Sequence, residues 1–93
     1  IMPSYLDIFI LLSIIFIRNK TMANLRLGNR LKVARAELNI SQEELANLAG
    51  VTRQTISSIE TRQYIPSALL AFIIAKKLGK PVDELFFLEG ADE

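Results

Sequence analysis

Residues 41–60 read SQEELANLAGVTRQTISSIE, and two helix starts and one helix stop stand within that stretch. Ser41 precedes Gln42, Glu43 and Glu44. Its hydroxyl can therefore accept from the free amides of a new helix, while Glu44, the third helical residue, reaches back to the Ser41 amide. That helix carries Leu45, Ala46 and Ala49 and meets Gly50, the residue that takes a left-handed conformation after a helix at little steric cost. Thr52 offers a second hydroxyl cap directly after Val51, and Ile56 and Ile59 give an apolar spacing of three on the helix that follows. Only about three residues separate the two helices. A turn that tight crosses them steeply, and Ala46 supplies the small side chain such an approach needs.

Upstream, Leu27, Leu31, Ala34 and Leu38 stand at spacings of four, three and four, with Arg30, Lys32, Arg35 and Glu37 between them. The period predicts an amphipathic helix that begins near Leu25 and ends near Asn39. Downstream, Pro66 and Ser67 open a fourth helix whose run from Ala68 to Ala75 has no polar residue, and Gly79 with Pro81 ends it. Leu70, Ala71, Ile74, Ala75 and Leu78 form its core face. A short fifth helix or turn around Val82 to Phe87 brings Leu85, Phe86 and Phe87 back toward the body. No strands are required. The expected architecture is all-α, five helices arranged around a helix-turn-helix.

Composition narrows the function from another side. Ninety-three residues suffice for one small domain, and the chain has no cysteine, histidine or tryptophan. Thiol and imidazole nucleophiles, disulfides and cysteine-based zinc sites are thereby excluded. Ser41, Ser57 and Ser58 have no histidine to activate them, and Glu43 and Glu44 sit in a solvated capping position. The expectation is no enzyme, no metal and no cofactor. The formal charge of +1 hides a segregation: residues 22–80 hold nine basic and four acidic side chains, whereas Pro81 to Glu93 holds five acidic and no basic ones. A basic body with an acidic tail suits a polyanionic partner.

The first 21 residues read as a separate object. Ile8 to Ile17 is apolar except for Ser13, bracketed by Asp7 and Arg18. Spanning a bilayer takes roughly 20 apolar residues, so the run is short. Arg18 and Lys20 follow the run instead of preceding it, which is the wrong polarity for a signal peptide. The chain opens with Ile1, and Met22 stands directly ahead of the segment that reads as a complete domain. The expected division is a non-native or mis-started apolar extension over 1–21, and a helix-turn-helix domain with an acidic tail over 22–93. Its alternatives are an extra packed helix or strand and a weak membrane anchor.

The chain closely resembles the Xre-like, lambda-repressor-type helix-turn-helix family, in particular its short single-domain transcription regulators, over about residues 25–88. The residues that carry the resemblance are Ser41 to Ala46, then Ala49 to Glu60, then Tyr64-Ile65-Pro66-Ser67. The resemblance implies a compact five-helix fold whose third helix, about Thr52 to Glu60, lies in the DNA major groove. It assigns Arg53, Gln54 and Ser58 to base reading. Their chemistry agrees, since arginine can donate a bidentate pair to guanine and glutamine can pair with adenine. Gln42, Thr52, Thr55 and Arg62 are implied phosphate contacts, and for Gln42 and Thr52 capping alone is the competing role. Arg30 can add a phosphate contact, while Lys32 reads as a solvated side chain. Arg35 and Glu60 correspond to a structural ion pair between the first and third helices. Most relatives carry a glycine near Thr61 or Arg62, and this chain has none there.

The fourth helix departs from the family by carrying Leu69 and Ile73 where polar residues are usual. With Phe72 and Phe86 they form the expected homodimer interface, since a contiguous apolar patch on a small domain marks an interface. The expected partners are double-stranded DNA and a second copy of the chain, in the cytoplasm of a prokaryote, with no small-molecule ligand evident and no membrane unless the extension is native. The function implied is a sequence-specific transcription regulator acting as a repressor. An antitoxin-type regulator and a protein-interaction or membrane-tethered adaptor are the alternatives.

Overall fold

The computed structural model describes residues 7–13 and 25–90. Two compact units divide it, one formed by the chain's flanks and the other by Leu27–Leu88. In the first, residues 7–13 are helical (α1), and the Ser13 hydroxyl donates back to the Phe9 carbonyl at 3.1 Å. Every apolar side chain from Ile8 to Leu12 is exposed. Among the described residues no helix is long and apolar enough to cross a membrane. The readings placed on residues 1–6, 14–24 and 91–93, which include most of the extension and Met22, lie outside the described residues.

The main body is built from β1 (Leu25–Asn29), α2 (Leu31–Leu38), α3 (Gln42–Ala49), α4 (Arg53–Glu60), α5 (Ala68–Leu78), α6 (Val82–Leu85) and β2 (Phe86–Gly90). Local chemistry sets most of these bounds. Ser41 and Glu44 form the reciprocal capping box at α3: Glu44 N–H donates to Ser41 Oγ at 3.0 Å, and Ser41 N–H to Glu44 Oε1 at 2.8 Å. Thr52 Oγ1 accepts from the Thr55 amide at the start of α4, and Ser67 Oγ from the Leu70 amide at the start of α5. Gly50 ends α3 at φ 78°, left-handed, with empty space where a β-carbon would stand. Its value there is conformational and not steric.

Each helix of the body contributes to one core: Leu31 and Ala34 from α2, Leu45 and Ala46 from α3, Ile56 and Ile59 from α4, Ile74, Ala75 and Leu78 from α5, and Leu85 from α6. Leu70 and Ala71 are partly buried against it, so the core face expected of α5 is the observed one. Leu38 does not follow its period. It is 50% exposed at the last turn of α2, where Asn39 takes up a left-handed φ of 57° and turns the chain.

The expectation of an all-α fold needs correction. Among the described residues there are six helices, α1 and the five of the body, and β1 and β2 pair in a two-stranded sheet. The α2 helix starts at Leu31, not near Leu25, because Asn29 interrupts it. Its Oδ1 accepts from the Leu31 amide at 3.1 Å, its Nδ2 donates to the Ile59 carbonyl at 2.9 Å, and the Arg30 amide donates to the Leu85 carbonyl at 2.8 Å. Leu27 reaches the core from a strand. At the other end α6 is a single turn, and Phe86 adopts φ −124°, ψ 141°, extended backbone that suits aromatic residues.

Candidate nucleic-acid interface

The capped turn Gly50-Val51-Thr52 joins α3 to α4 and leaves Arg53 and Gln54 as the first two residues of α4, both exposed. Ile56 and Ile59 anchor the opposite side of that helix in the core, so the helix cannot roll to hide its polar face. Gln54 Nε2 donates to Ser58 Oγ at 3.2 Å, one turn on, which puts two of the three expected base readers on one stripe. Thr52 and Thr55 share a hydroxyl–hydroxyl hydrogen bond of 3.1 Å beside the cap. No acidic residue occupies the first turn of α4, so the positive end of its dipole is not neutralised from within the helix. Such an end attracts a phosphate oxygen. The first turn of α3 differs in carrying Glu43 and Glu44.

Behind this surface runs a hydrogen-bonded line of side chains. Arg35 Nε and Nη2 donate to the two oxygens of Glu60 at 2.7 and 3.1 Å, and Arg35 Nη1 donates to the Ile40 carbonyl at 3.1 Å. Both side chains are largely buried, 13% and 7% exposed. Gln42 Nε2 donates to Glu60 Oε1 at 3.0 Å, and Arg53 Nη1 donates to Gln42 Oε1 at 3.4 Å. The family resemblance implies the pairing of Arg35 with Glu60 but gives no sign of the Gln42 link. Asn29, which fastens α2 to the end of α4, is likewise not implied by the resemblance. An asparagine two positions ahead of the helix, able to accept from the backbone amide two residues on, is the signal that could have found it.

Arg62 stands exposed just past α4 with φ 65°. This is the left-handed region that favours glycine, adopted here by an arginine. The turn that holds it there closes the helix end: Arg62 N–H donates to Ile59 O at 3.0 Å, and Gln63 N–H and Tyr64 N–H both donate to Ser58 O at 2.8 and 3.2 Å. On α5, Leu69 is 72% and Phe72 61% exposed, while Ile73 is half-buried. Phe86 does not join them. It is 8% exposed inside the core, because β2 starts there and turns its ring inward.

A helix-turn-helix family model matches residues 31–85, an interval that contains α2 to α6. An uncharacterised HTH-type transcriptional regulator, YgzD, of Bacillus subtilis is 44% identical over 61 residues, which cover 66% of this chain and 92% of that protein. An uncharacterised HTH-type transcriptional regulator of Methanocaldococcus jannaschii is 49% identical over 61 residues, again 66% and 92% of the two chains. Among solved structures, the restriction-modification controller protein C.AhdI of Aeromonas hydrophila superposes with a TM-score of 0.56 at 30% identity, covering 58% of this chain and 78% of the other. A hypothetical transcription factor from Neisseria gives 0.56 at 26% identity, covering 58% and 62%.

Proposed function

This chain belongs to the Xre-like, lambda-repressor-type helix-turn-helix family, and from that premise we propose that it is a DNA-binding transcription regulator that reads its operator with α4. The single observation that carries this reading is the pairing of a buried Ile56–Ile59 edge with an exposed Arg53-Gln54 start on the second helix of a correctly capped turn. Arg53, Gln54 and Ser58 address base edges in the major groove. The α4 N-terminus with Thr52 and Thr55, the start of α3 at Gln42, and Arg62 address phosphates on either side. Nothing in this mechanism is catalytic. Occupying the operator is the regulatory act, and repression follows where the site overlaps a promoter. The protein acts in the cytoplasm, where its DNA is.

The regulator works as a homodimer. Leu69 and Phe72 are too large and too exposed for a surface that stays in water, and with half-buried Ile73 they lie on one side of α5. A two-fold pair presents two α4 helices to half-sites about one turn of DNA apart, roughly 34–36 Å. Residues 22–93 carry this function and residues 1–21 are dispensable for it. The test is a selection from a random duplex library, followed by titration of the selected and scrambled duplexes. The native chain prefers the selected duplex, and the Arg53→Ala/Gln54→Ala double variant, still folded by circular dichroism, loses that preference. A double variant that keeps it would overturn the assignment.

A further inference from the structure

A groove separate from the helix-turn-helix runs between α2 and the corner where α5 passes into α6, and it encloses about 370 Å³. One wall is the face of α2 that carries Val33 and Glu37, with Arg30 at its start, and the other carries Lys80, Asp83 and Glu84. Ala34 and Leu85, 2% and 0% exposed, form its apolar floor. No residue of the groove belongs to α3 or α4, the helices assigned to DNA. The walls are tied together before any ligand arrives. The Arg30 amide donates to the Leu85 carbonyl at 2.8 Å, which draws the Asp83-Glu84 turn alongside the start of α2. Lys80 Nζ meets Glu37 Oε1 at 3.0 Å and closes one end.

The charges left over select the ligand. Arg30 rests its guanidinium over the Phe87 ring, 4.5 Å from the centroid, and among the described residues no ion pair joins it to Asp83 or Glu84. Stacking uses the face of the guanidinium and leaves its N–H edge for a carboxylate. With Lys80 and Glu37 paired to each other, one cation faces two carboxylates across an apolar floor. A simple anion on Arg30 is repelled by Asp83 and Glu84, and a simple cation on those carboxylates is repelled by Arg30. A zwitterion satisfies both sides. We propose that the groove binds a free α-amino acid with a small aliphatic side chain. Its carboxylate lies on Arg30 and its ammonium on Asp83 and Glu84, while the side chain covers the floor and Val33, which is 57% exposed. The volume stands at the lower end of small-molecule pockets, roughly 300–1,000 Å³, which suits a ligand of that size.

Titration of the ¹⁵N-labelled full chain, followed by amide correlation spectra at constant pH and ionic strength, tests the proposal. The probes are glycine, L-alanine, L-valine and L-leucine. The one that binds tightest is compared with its amine, which lacks the carboxylate, and its acid, which lacks the ammonium; for L-valine these are isobutylamine and isovalerate. At least one amino acid should give saturable shifts centred on the amides of Arg30 to Glu37 and Lys80 to Phe87 by roughly 30 mM, where a millimolar site is filled. Each single-charge analogue should bind at least about fivefold more weakly, since it forfeits one charged hydrogen-bonding contact. Arg30→Gln and, separately, Asp83→Asn with Glu84→Gln should weaken the amino acid by a similar factor in proteins whose spectra keep the native dispersion. The analogue comparison uses the native protein, so it decides even where a variant is destabilised. No saturable shift with any of the four amino acids overturns the proposal, as do shifts centred on α4. An analogue that binds as well as the amino acid makes the groove a plain cation or anion site and overturns it too, and so does binding that both sets of variants leave unchanged. No arm involves DNA, so the outcome is independent of the reading of α4.

Discussion

Replacing Glu60 by alanine should be among the most damaging single changes outside the apolar core. The carboxylate accepts three hydrogen bonds, from Arg35 Nε at 2.7 Å, Arg35 Nη2 at 3.1 Å and Gln42 Nε2 at 3.0 Å. Without it the Arg35 guanidinium, on a side chain 13% exposed, keeps only the Ile40 carbonyl at 3.1 Å. Removing one partner of a buried pair costs roughly 3–5 kcal/mol. The retained bond to Ile40 and the residual exposure place the expected loss at the lower end, about 3 kcal/mol. A body of about 66 residues has roughly 3–10 kcal/mol of stability in all, so this is a large share of it. Exchanging both partners, as Arg35→Met with Glu60→Leu, removes the unpaired charge together with its desolvation cost. It should return the protein to within about 1 kcal/mol of native. Urea unfolding followed by circular dichroism, at fixed protein concentration because a dimer's stability depends on it, measures both. A Glu60→Ala loss under about 1 kcal/mol, or a double variant no more stable than the single, would refute the reasoning.

Other consequences are as specific. At the left-handed φ of 65°, Arg62→Gly should be more stable than Arg62→Ala by about 1 kcal/mol, since both lose the same side chain and only alanine is strained there; equal melting temperatures would contradict it. If Arg62 contacts a phosphate, either variant should lower the slope of log affinity against log salt by about 0.9, and an unchanged slope removes it from the interface. Ser41→Ala breaks the capping box and should cost about 1 kcal/mol in urea unfolding. Leu69→Lys with Phe72→Lys should yield a folded monomer in analytical ultracentrifugation, with weaker operator binding; a dimer unaffected by both charges would rule out the α5 face. A chain starting at Met22 should bind the selected duplex within about twofold of the full chain, as expected if only the body contacts DNA.

What could be read in the chain beforehand was mostly what is local. The caps at Ser41, Thr52 and Ser67 each bond an amide three residues away, so residue type and spacing suffice to find them. The core edges of α3, α4 and α5 follow from a three- and four-residue apolar period for the same reason. The strands are not local. Leu27 and Leu31 stand one helical turn apart, and only the pairing of β1 with β2 and the reach of Asn29 to Ile59 turn that stretch into a strand and a turn. The position of Phe86 is non-local on the same ground, since it is the start of β2 that turns its ring into the core. Within the site, the Arg35–Glu60 pair is recognisable by its resemblance to the family. The bond from Gln42 to Glu60 joins residues 18 apart through the geometry of the turn, which no pattern along the chain encodes.

The central claim is that α4 lies in the major groove with Arg53 against a guanine. Guanine presents its N7 acceptor only in that groove, so the most direct measurement is interference by N7 methylation. Selected duplexes carrying 7-methylguanine at one position at a time are titrated with the native chain and with Arg53→Ala. One guanine per half-site should block the native chain when methylated and make no difference to Arg53→Ala, which already binds weakly there. Binding indifferent to methylation at every guanine, or equally sensitive in both proteins, would contradict the placement of Arg53.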